Sequence, residues 1–214
     1  MVEIKFCGMM RPEDASEAAS LGAKYVGVIL ASGPRKLSDD VAASVLAALP
    51  AGVSRVGVFG DAAPEEVKRR AERLGLDVVQ LHADPDAETV ARMRAIWRGR
   101  IWAVRRLDGA VIPSGTAELF GAADAVVLDA RVAGMLGGTG VQLPWDELRK
   151  RLDAIRPARS TARLVLAGGL RAENVARAVA ALHPDVVDVS SGVESGVGVK
   201  DHARMRAFRD AATS

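Results

Sequence analysis

Two side chains in this sequence, the lone cysteine Cys7 and the aspartate Asp129, are suited to moving protons to and from a bound molecule. A thiol becomes a base or nucleophile when its neighbours stabilise the thiolate. A carboxyl group donates a proton when its surroundings raise its pKa. Each has a plainer reading: a lone cysteine is commonly a small buried hydrophobe, and an aspartate after a strand commonly serves a turn or a helix cap. Arg35 reads equally as a solvated charge, and His82 as a hydrogen-bonded residue on a rim.

An anion site is the second chemical signal. The apolar run Val186-Val187-Asp188-Val189 passes directly into Ser190-Ser191-Gly192-Val193-Glu194, and Leu164-Val165-Leu166-Ala167 passes into Gly168-Gly169 before a helical stretch. Tight turns of this kind aim backbone N–H groups at a phosphate, and serine hydroxyls add further donors. One such turn is ordinary; two, both at the carboxyl ends of apolar strands, carry more weight. The stretch Gly137-Gly138-Thr139-Gly140 is a weaker signal of the same type.

These residues must be positioned by the elements that contain them. Short Val/Ile/Leu runs alternate with longer segments whose apolar residues recur at helical spacing. Strands are predicted over residues 2–6, 25–30, 53–58, 77–82, 100–104, 124–128, 163–167 and 185–189. Helices are predicted near 12–21, 38–48, 64–74, 86–97, 115–121, 145–155, 171–181 and 201–211. Pro12 and Pro64, each followed by acids, and Ser38 before Asp39-Asp40 mark helix starts; Gly22 and Gly75 mark stops. The strand Ala125-Val126-Val127-Leu128 is apolar throughout, as strands covered on both faces are. Eight strand-helix units point to a single α/β domain spanning residues 1–214, a (β/α)₈ TIM barrel, with an open doubly wound sheet as the alternative. In a barrel the strand ends bearing Cys7, Arg35, His82, Asp129 and the glycine and serine turns converge on one face, where barrel enzymes do their chemistry.

Composition narrows the function classes. At 214 residues, with 49% hydrophobic and 26% charged residues, the chain is long and apolar enough for a substantial core. Its 29 basic and 27 acidic residues are scattered, and aromatics reach only 4%, which gives nucleic-acid binding no footprint. No apolar run is long enough to span a bilayer, so no membrane partner is expected. Met1-Val2-Glu3-Ile4-Lys5 enters a strand pattern rather than a secretory signal, and one cysteine excludes an internal disulfide framework. A cytoplasmic monomer or homodimer is the expectation.

Taken in order, Lys5-Phe6-Cys7-Gly8, Pro34-Arg35, Val56-Gly57-Val58-Phe59, Gln80-Leu81-His82, Leu128-Asp129-Ala130, Gly137-Gly138-Thr139-Gly140, Ala167-Gly168-Gly169-Leu170 with Asn174, and Asp188-Val189-Ser190-Ser191-Gly192-Val193-Glu194 resemble the phosphoribosylanthranilate isomerases of tryptophan biosynthesis over nearly the whole chain. The resemblance implies a (β/α)₈ barrel that converts N-(5-phosphoribosyl)anthranilate into 1-(2-carboxyphenylamino)-1-deoxyribulose 5-phosphate by an Amadori rearrangement, without metal or other cofactor. By the same resemblance Asp129 is the general acid at the ribose ring oxygen and Cys7 the base at C2′. Arg35 pairs with the anthranilate carboxylate. Gly138, Thr139, Gly140, Gly168, Gly169, Ser191 and Gly192 surround the phosphate, and His82 and Asp188 lie near the substrate. Leu143-Pro144-Trp145 and Val197-Gly198 depart from the family pattern, as does Gly33 before Pro34. Two readings compete: another phosphate-binding barrel enzyme of the tryptophan or histidine pathways, such as an indole-forming synthase or a sugar isomerase, and a barrel that binds a phosphorylated metabolite without turning it over. Cys7 at the end of the first strand argues against the first, and the presence of both Cys7 and Asp129 argues for catalysis against the second.

Overall fold

A computed structural model describes residues 1–131, 145–157 and 160–214. Eight parallel strands close into a barrel in chain order: β1 (Glu3–Phe6), β2 (Tyr25–Ile29), β3 (Ser54–Phe59), β4 (Val78–Leu81), β5 (Arg100–Asp108), β6 (Ala125–Arg131), β7 (Arg163–Ala167) and β8 (Val186–Val189). β8 pairs back onto β1, with Lys5 opposite Asp188. Helices follow the strands in turn: α1 (Pro12–Ser20), α2 (Asp39–Ala47), α3 (Pro64–Arg73), α4 (Ala87–Ile96), α5 (Thr116–Ala122), α6 (Trp145–Ile155), α7 (Ala172–Leu182) and α8 (His202–Thr213).

The period-2 alternation of a strand divides the core into two shells. Phe6, Val26, Val28, Val79, Leu81, Val126, Leu128, Leu164, Leu166, Val187 and Val189 point outward into one cluster with the helices. Tyr25, Val56, Val78, Trp102, Val104, Ala125, Val127, Val165, Ala167 and Val186 fill the barrel interior. Both shells are apolar, which is why the strands read as continuous hydrophobic runs. At the amino-terminal end the interior is closed by Tyr25 against Trp102, edge to face at 4.8 Å. Arg163 donates to the Tyr25 hydroxyl at 2.8 Å and pairs with Glu3 at 2.5 Å. This closure leaves the carboxyl end of the barrel as the open face.

The helix signals act as chemistry dictates. Pro12 and Pro64 occupy first turns, and the Ser38 hydroxyl accepts from the Val41 N–H at 3.4 Å. Gly22 takes φ +80° just past α1, and the N–H of the following Ala23 returns to the Ala18 carbonyl at 3.1 Å.

Three differences from the sequence expectation concern the site. β5 runs to Asp108, beyond the expected 104, and β6 to Arg131, beyond 128, because the two remain paired as far as Asp108 opposite Arg131. Asp129 therefore sits within a strand rather than after one. A small antiparallel hairpin, β9 (Glu194–Gly196) and β10 (Val199–Lys200), follows a 3₁₀ turn at Ser191–Val193 after β8. Gly137, Gly138, Thr139 and Gly140 lie outside the described residues.

Candidate active site

Inward-facing residues at the carboxyl ends of the strands surround a cavity of about 600 Å³ lined by Cys7, Arg35, Gln80, His82, Asp129, Gly168, Gly169, Asp188, Ser191 and Gly192 among others. Cys7 follows β1 and is held by its N–H, which donates to the Val189 carbonyl at 2.9 Å. Two residues earlier on the same inner face, Lys5 is completely buried, with Nζ 2.6 Å from Asp188 Oδ2. Gly27 makes room for this group: a Cβ there would stand 2.9 Å from Cys7 Sγ and 3.3 Å from Lys5 Cε. Burial pushes the Cys7 thiol up, against the pull of the Lys5 ammonium beside it. Burial alone would lower Lys5, but Asp188 and Cys7 outweigh it and keep the ammonium charged.

Across the cavity, Asp129 Oδ2 lies 3.6 Å from His82 Nε2, too far for a direct hydrogen bond. Desolvation lowers the His82 pKa despite the carboxylate, so the ring is neutral near pH 7. Gln80 Oε1, Asp188 Oδ1 and His82 Nδ1, on residues that line the cavity, are buried with no hydrogen-bond partner among the described residues. Buried acceptors left open cost free energy unless something donates to them.

The turns after β7 and β8 form a second polar region. Gly168 and Gly169 both take positive φ, +89° and +64°, conformations that glycine adopts without strain. The side chain of Asn174 fixes this turn, donating to the Gly169 carbonyl at 3.0 Å and accepting from the Arg171 N–H at 2.8 Å as α7 begins. Gly192 packs so closely that a Cβ would fall 1.9 Å from the Leu170 carbonyl oxygen. The two turns are thus in backbone contact, and only glycine permits it.

Arg35 reaches the cavity from the loop after β2, but its guanidinium is already engaged. Nε and Nη2 donate to the Glu194 carboxylate at 2.8 and 2.6 Å. Lys200 Nζ donates to the same carboxylate at 2.8 Å. Gly8, at φ +69°, gives the arginine stem passage: a Cβ there would stand 2.9 Å from Arg35 Cδ and 2.8 Å from Ser190 Oγ.

Every described residue among those expected at the site lines this one cavity. Residues to which the sequence reading gave no role join the site: Gln80 on the cavity wall, Lys5 paired with Asp188, and Glu194 with Lys200 behind Arg35. For Lys5 and Gln80 a signal existed, because a polar residue at an inward position of an apolar strand must either be paired or face a ligand. Glu194 and Lys200 fall in the segments that carry the resemblance, but their pairing with each other and with Arg35 was not readable there, because Arg35 is remote in sequence.

A closed (β/α)₈ barrel with a thiol, a carboxylate and an imidazole lining one cavity at the carboxyl ends of its strands has the architecture of a barrel enzyme. Comparison with known proteins specifies the kind. Residues 4–211 match the family described as N-(5'phosphoribosyl)anthranilate (PRA) isomerase, and the chain belongs to that family. It is 42% identical over 215 aligned residues to the N-(5'-phosphoribosyl)anthranilate isomerase of Rubrobacter xylanophilus, covering all of both chains. Its fold superposes on the crystal structure of phosphoribosyl anthranilate isomerase from Thermotoga maritima with a TM-score of 0.85, at 31% identity, covering 100% of this chain and 99% of that one. A phosphoribosyl anthranilate isomerase solved in complex with reduced 1-(o-carboxyphenylamino)-1-deoxyribulose 5-phosphate gives a TM-score of 0.82 at 29% identity, with 100% and 99% coverage.

Proposed function

We propose that Cys7 and Asp129 divide between them the two proton transfers of the Amadori rearrangement. The chain is a phosphoribosylanthranilate isomerase of tryptophan biosynthesis, converting N-(5-phosphoribosyl)anthranilate into 1-(2-carboxyphenylamino)-1-deoxyribulose 5-phosphate. Asp129 protonates the ribose ring oxygen, and the C1′–O bond breaks to leave a Schiff base. Cys7, as thiolate, then removes the C2′ proton, and the resulting enolamine tautomerises to the ketone. The carrying observation is that the thiol from β1 and the carboxylate from β6 line one cavity. One fixed substrate can then meet a donor to oxygen and an acceptor from carbon.

Binding follows from the surrounding groups. The turns at Gly168-Gly169 and Ser191-Gly192 receive the phosphate; Gly138, Thr139 and Gly140, which the resemblance also assigns to it, lie outside the described residues. Arg35 faces the anthranilate carboxylate, and Gln80 and Asp188, which line the cavity, are the polar side chains set to meet the sugar. His82, neutral, borders Asp129. The chain acts as a monomer or homodimer, and a reducing compartment such as the cytoplasm keeps its single thiol free.

The direct test is turnover by the purified chain without added metal, followed as loss of anthranilate-type fluorescence on supplying phosphoribosylanthranilate. Turnover is expected in wild type, with Cys7→Ser and Asp129→Asn each lowering kcat by at least ~100-fold. Near-wild-type kcat in a folded variant would remove that residue from its role.

A further inference from the structure

Arg35 is held by a second residue, Glu194, that the proposed proton transfers do not use. Glu194 holds the Nε–Nη2 edge of the guanidinium, while Nη1 makes no hydrogen bond among the described residues. A guanidinium carries five N–H groups in one plane, so the Nη1–Nη2 edge keeps its own pair of parallel donors. Arg35 lines the cavity, and that edge keeps no hydrogen-bond partner among the described residues.

The holder is itself rigidly held. Glu194 is buried, its carbonyl accepts from Arg204, and its carboxylate accepts from Lys200, whose side chain is fully buried. Lys200 Nζ also donates to the Ser190 carbonyl at 3.1 Å, at the start of the turn after β8. The Lys200 backbone N–H donates at 3.3 Å to Asp14, which is already paired with Arg11 and His202. Arg35, Lys200 and Glu194 therefore form a cluster with two cations and one anion. A carboxylate arriving at Arg35 neutralises the surplus without displacing Glu194.

We infer that Glu194 is a positioning residue for carboxylate recognition: it fixes the plane of Arg35 so that the free Nη1–Nη2 edge receives the ring carboxylate of the substrate, while Lys200 locks Glu194 and ties it to the turn after β8. This rests on the assignment of Arg35 to that carboxylate made above. It goes further by placing specificity in the β9–β10 hairpin, which bears no group needed for proton transfer.

The test compares two ligands by isothermal titration calorimetry: reduced 1-(o-carboxyphenylamino)-1-deoxyribulose 5-phosphate and its phenylamino counterpart lacking the ring carboxylate. Wild type is expected to favour the carboxylated ligand by at least about tenfold, and Arg35→Ala to abolish that preference. Glu194→Gln should reduce the preference about tenfold while leaving affinity for the phenylamino ligand within about twofold of wild type. Glu194→Asp retains the charge but withdraws it by one methylene, and should lose about threefold of the preference. If Arg35→Ala removes the preference and a folded Glu194 variant retains all of it, the positioning role is overturned and the Arg35 assignment survives. If Arg35→Ala leaves the preference intact, the Arg35 assignment itself fails. A merely structural Glu194 would weaken both ligands equally, which also contradicts the inference.

Discussion

The base proposed at Cys7 sits where burial disfavours its charged form, and Lys5 is the group that opposes that penalty. The raised pKa means that the thiolate fraction, and with it kcat/KM, should climb as pH rises through neutrality toward the alkaline range. Because the chain has one cysteine, alkylation by iodoacetamide reports this thiolate directly. Lys5→Met should slow alkylation at pH 8 by about tenfold, the effect of one pKa unit. An unchanged rate in a folded variant would show that Lys5 does not stabilise the thiolate. That Cys7 and Asp129 would come to one cavity was legible from the alternation that sets strands β1 and β6 in one barrel; the roles proposed for them rest on the family resemblance. The lysine beneath was harder to interpret: sequence displays its charge but not the Asp188 carboxylate 2.6 Å away on the last strand.

At the scale of elements, the site depends on how two turns meet. Backbone contact between Gly192 and Leu170 brings the ends of β7 and β8 together, and Gly192→Ala would force them apart. Overpacking of this kind costs about 1–3 kcal/mol. Because it strikes the proposed phosphate turns, Gly192→Ala should also raise KM for phosphoribosylanthranilate more than it lowers kcat. A Michaelis constant unchanged in the variant would separate these turns from phosphate binding. The turns were foreseeable as glycine and serine clusters after apolar runs. The β9–β10 hairpin was not: Glu194-Ser195-Gly196 and Val199-Lys200 are too short and too polar to display strand periodicity. Strand ends were misplaced at β5 and β6 for a related reason, since Arg105, Arg106 and Asp108 interrupt the apolar pattern that pairing carries through.

For the whole molecule, acid sensitivity should be set by the charge network that joins the hairpin, α1 and α8 to the barrel rim. Burial alone would raise Glu194 and Asp14, but Arg35 and Lys200 hold the first below the ordinary carboxylate range, and Arg11 and His202 hold the second. A carboxylate with a depressed folded pKa stabilises the fold above its unfolded pKa, and that stability is lost as pH falls through the folded value. Tm should therefore drop below about pH 4, and Glu194→Gln should flatten that fall while lowering Tm at neutral pH. A Tm profile with the same acid slope in the variant would exclude Glu194 as a contributor. The (β/α)₈ architecture was readable from the alternation of eight apolar runs with helical segments. Closure was not, because an open doubly wound sheet uses the same alternation and only the β8–β1 pairing distinguishes them.

The central claim is that one substrate lies between a thiol and a carboxyl group with a proton-transfer task for each. A crystal structure of this chain with reduced 1-(o-carboxyphenylamino)-1-deoxyribulose 5-phosphate measures this most directly. The account requires Cys7 Sγ within about 3.5 Å of C2′, an Asp129 carboxyl oxygen at similar range from the former ring oxygen, and the phosphate at the turns after β7 and β8. A ligand bound with its phosphate at Arg35, or with either side chain beyond about 5 Å of its atom, would contradict it.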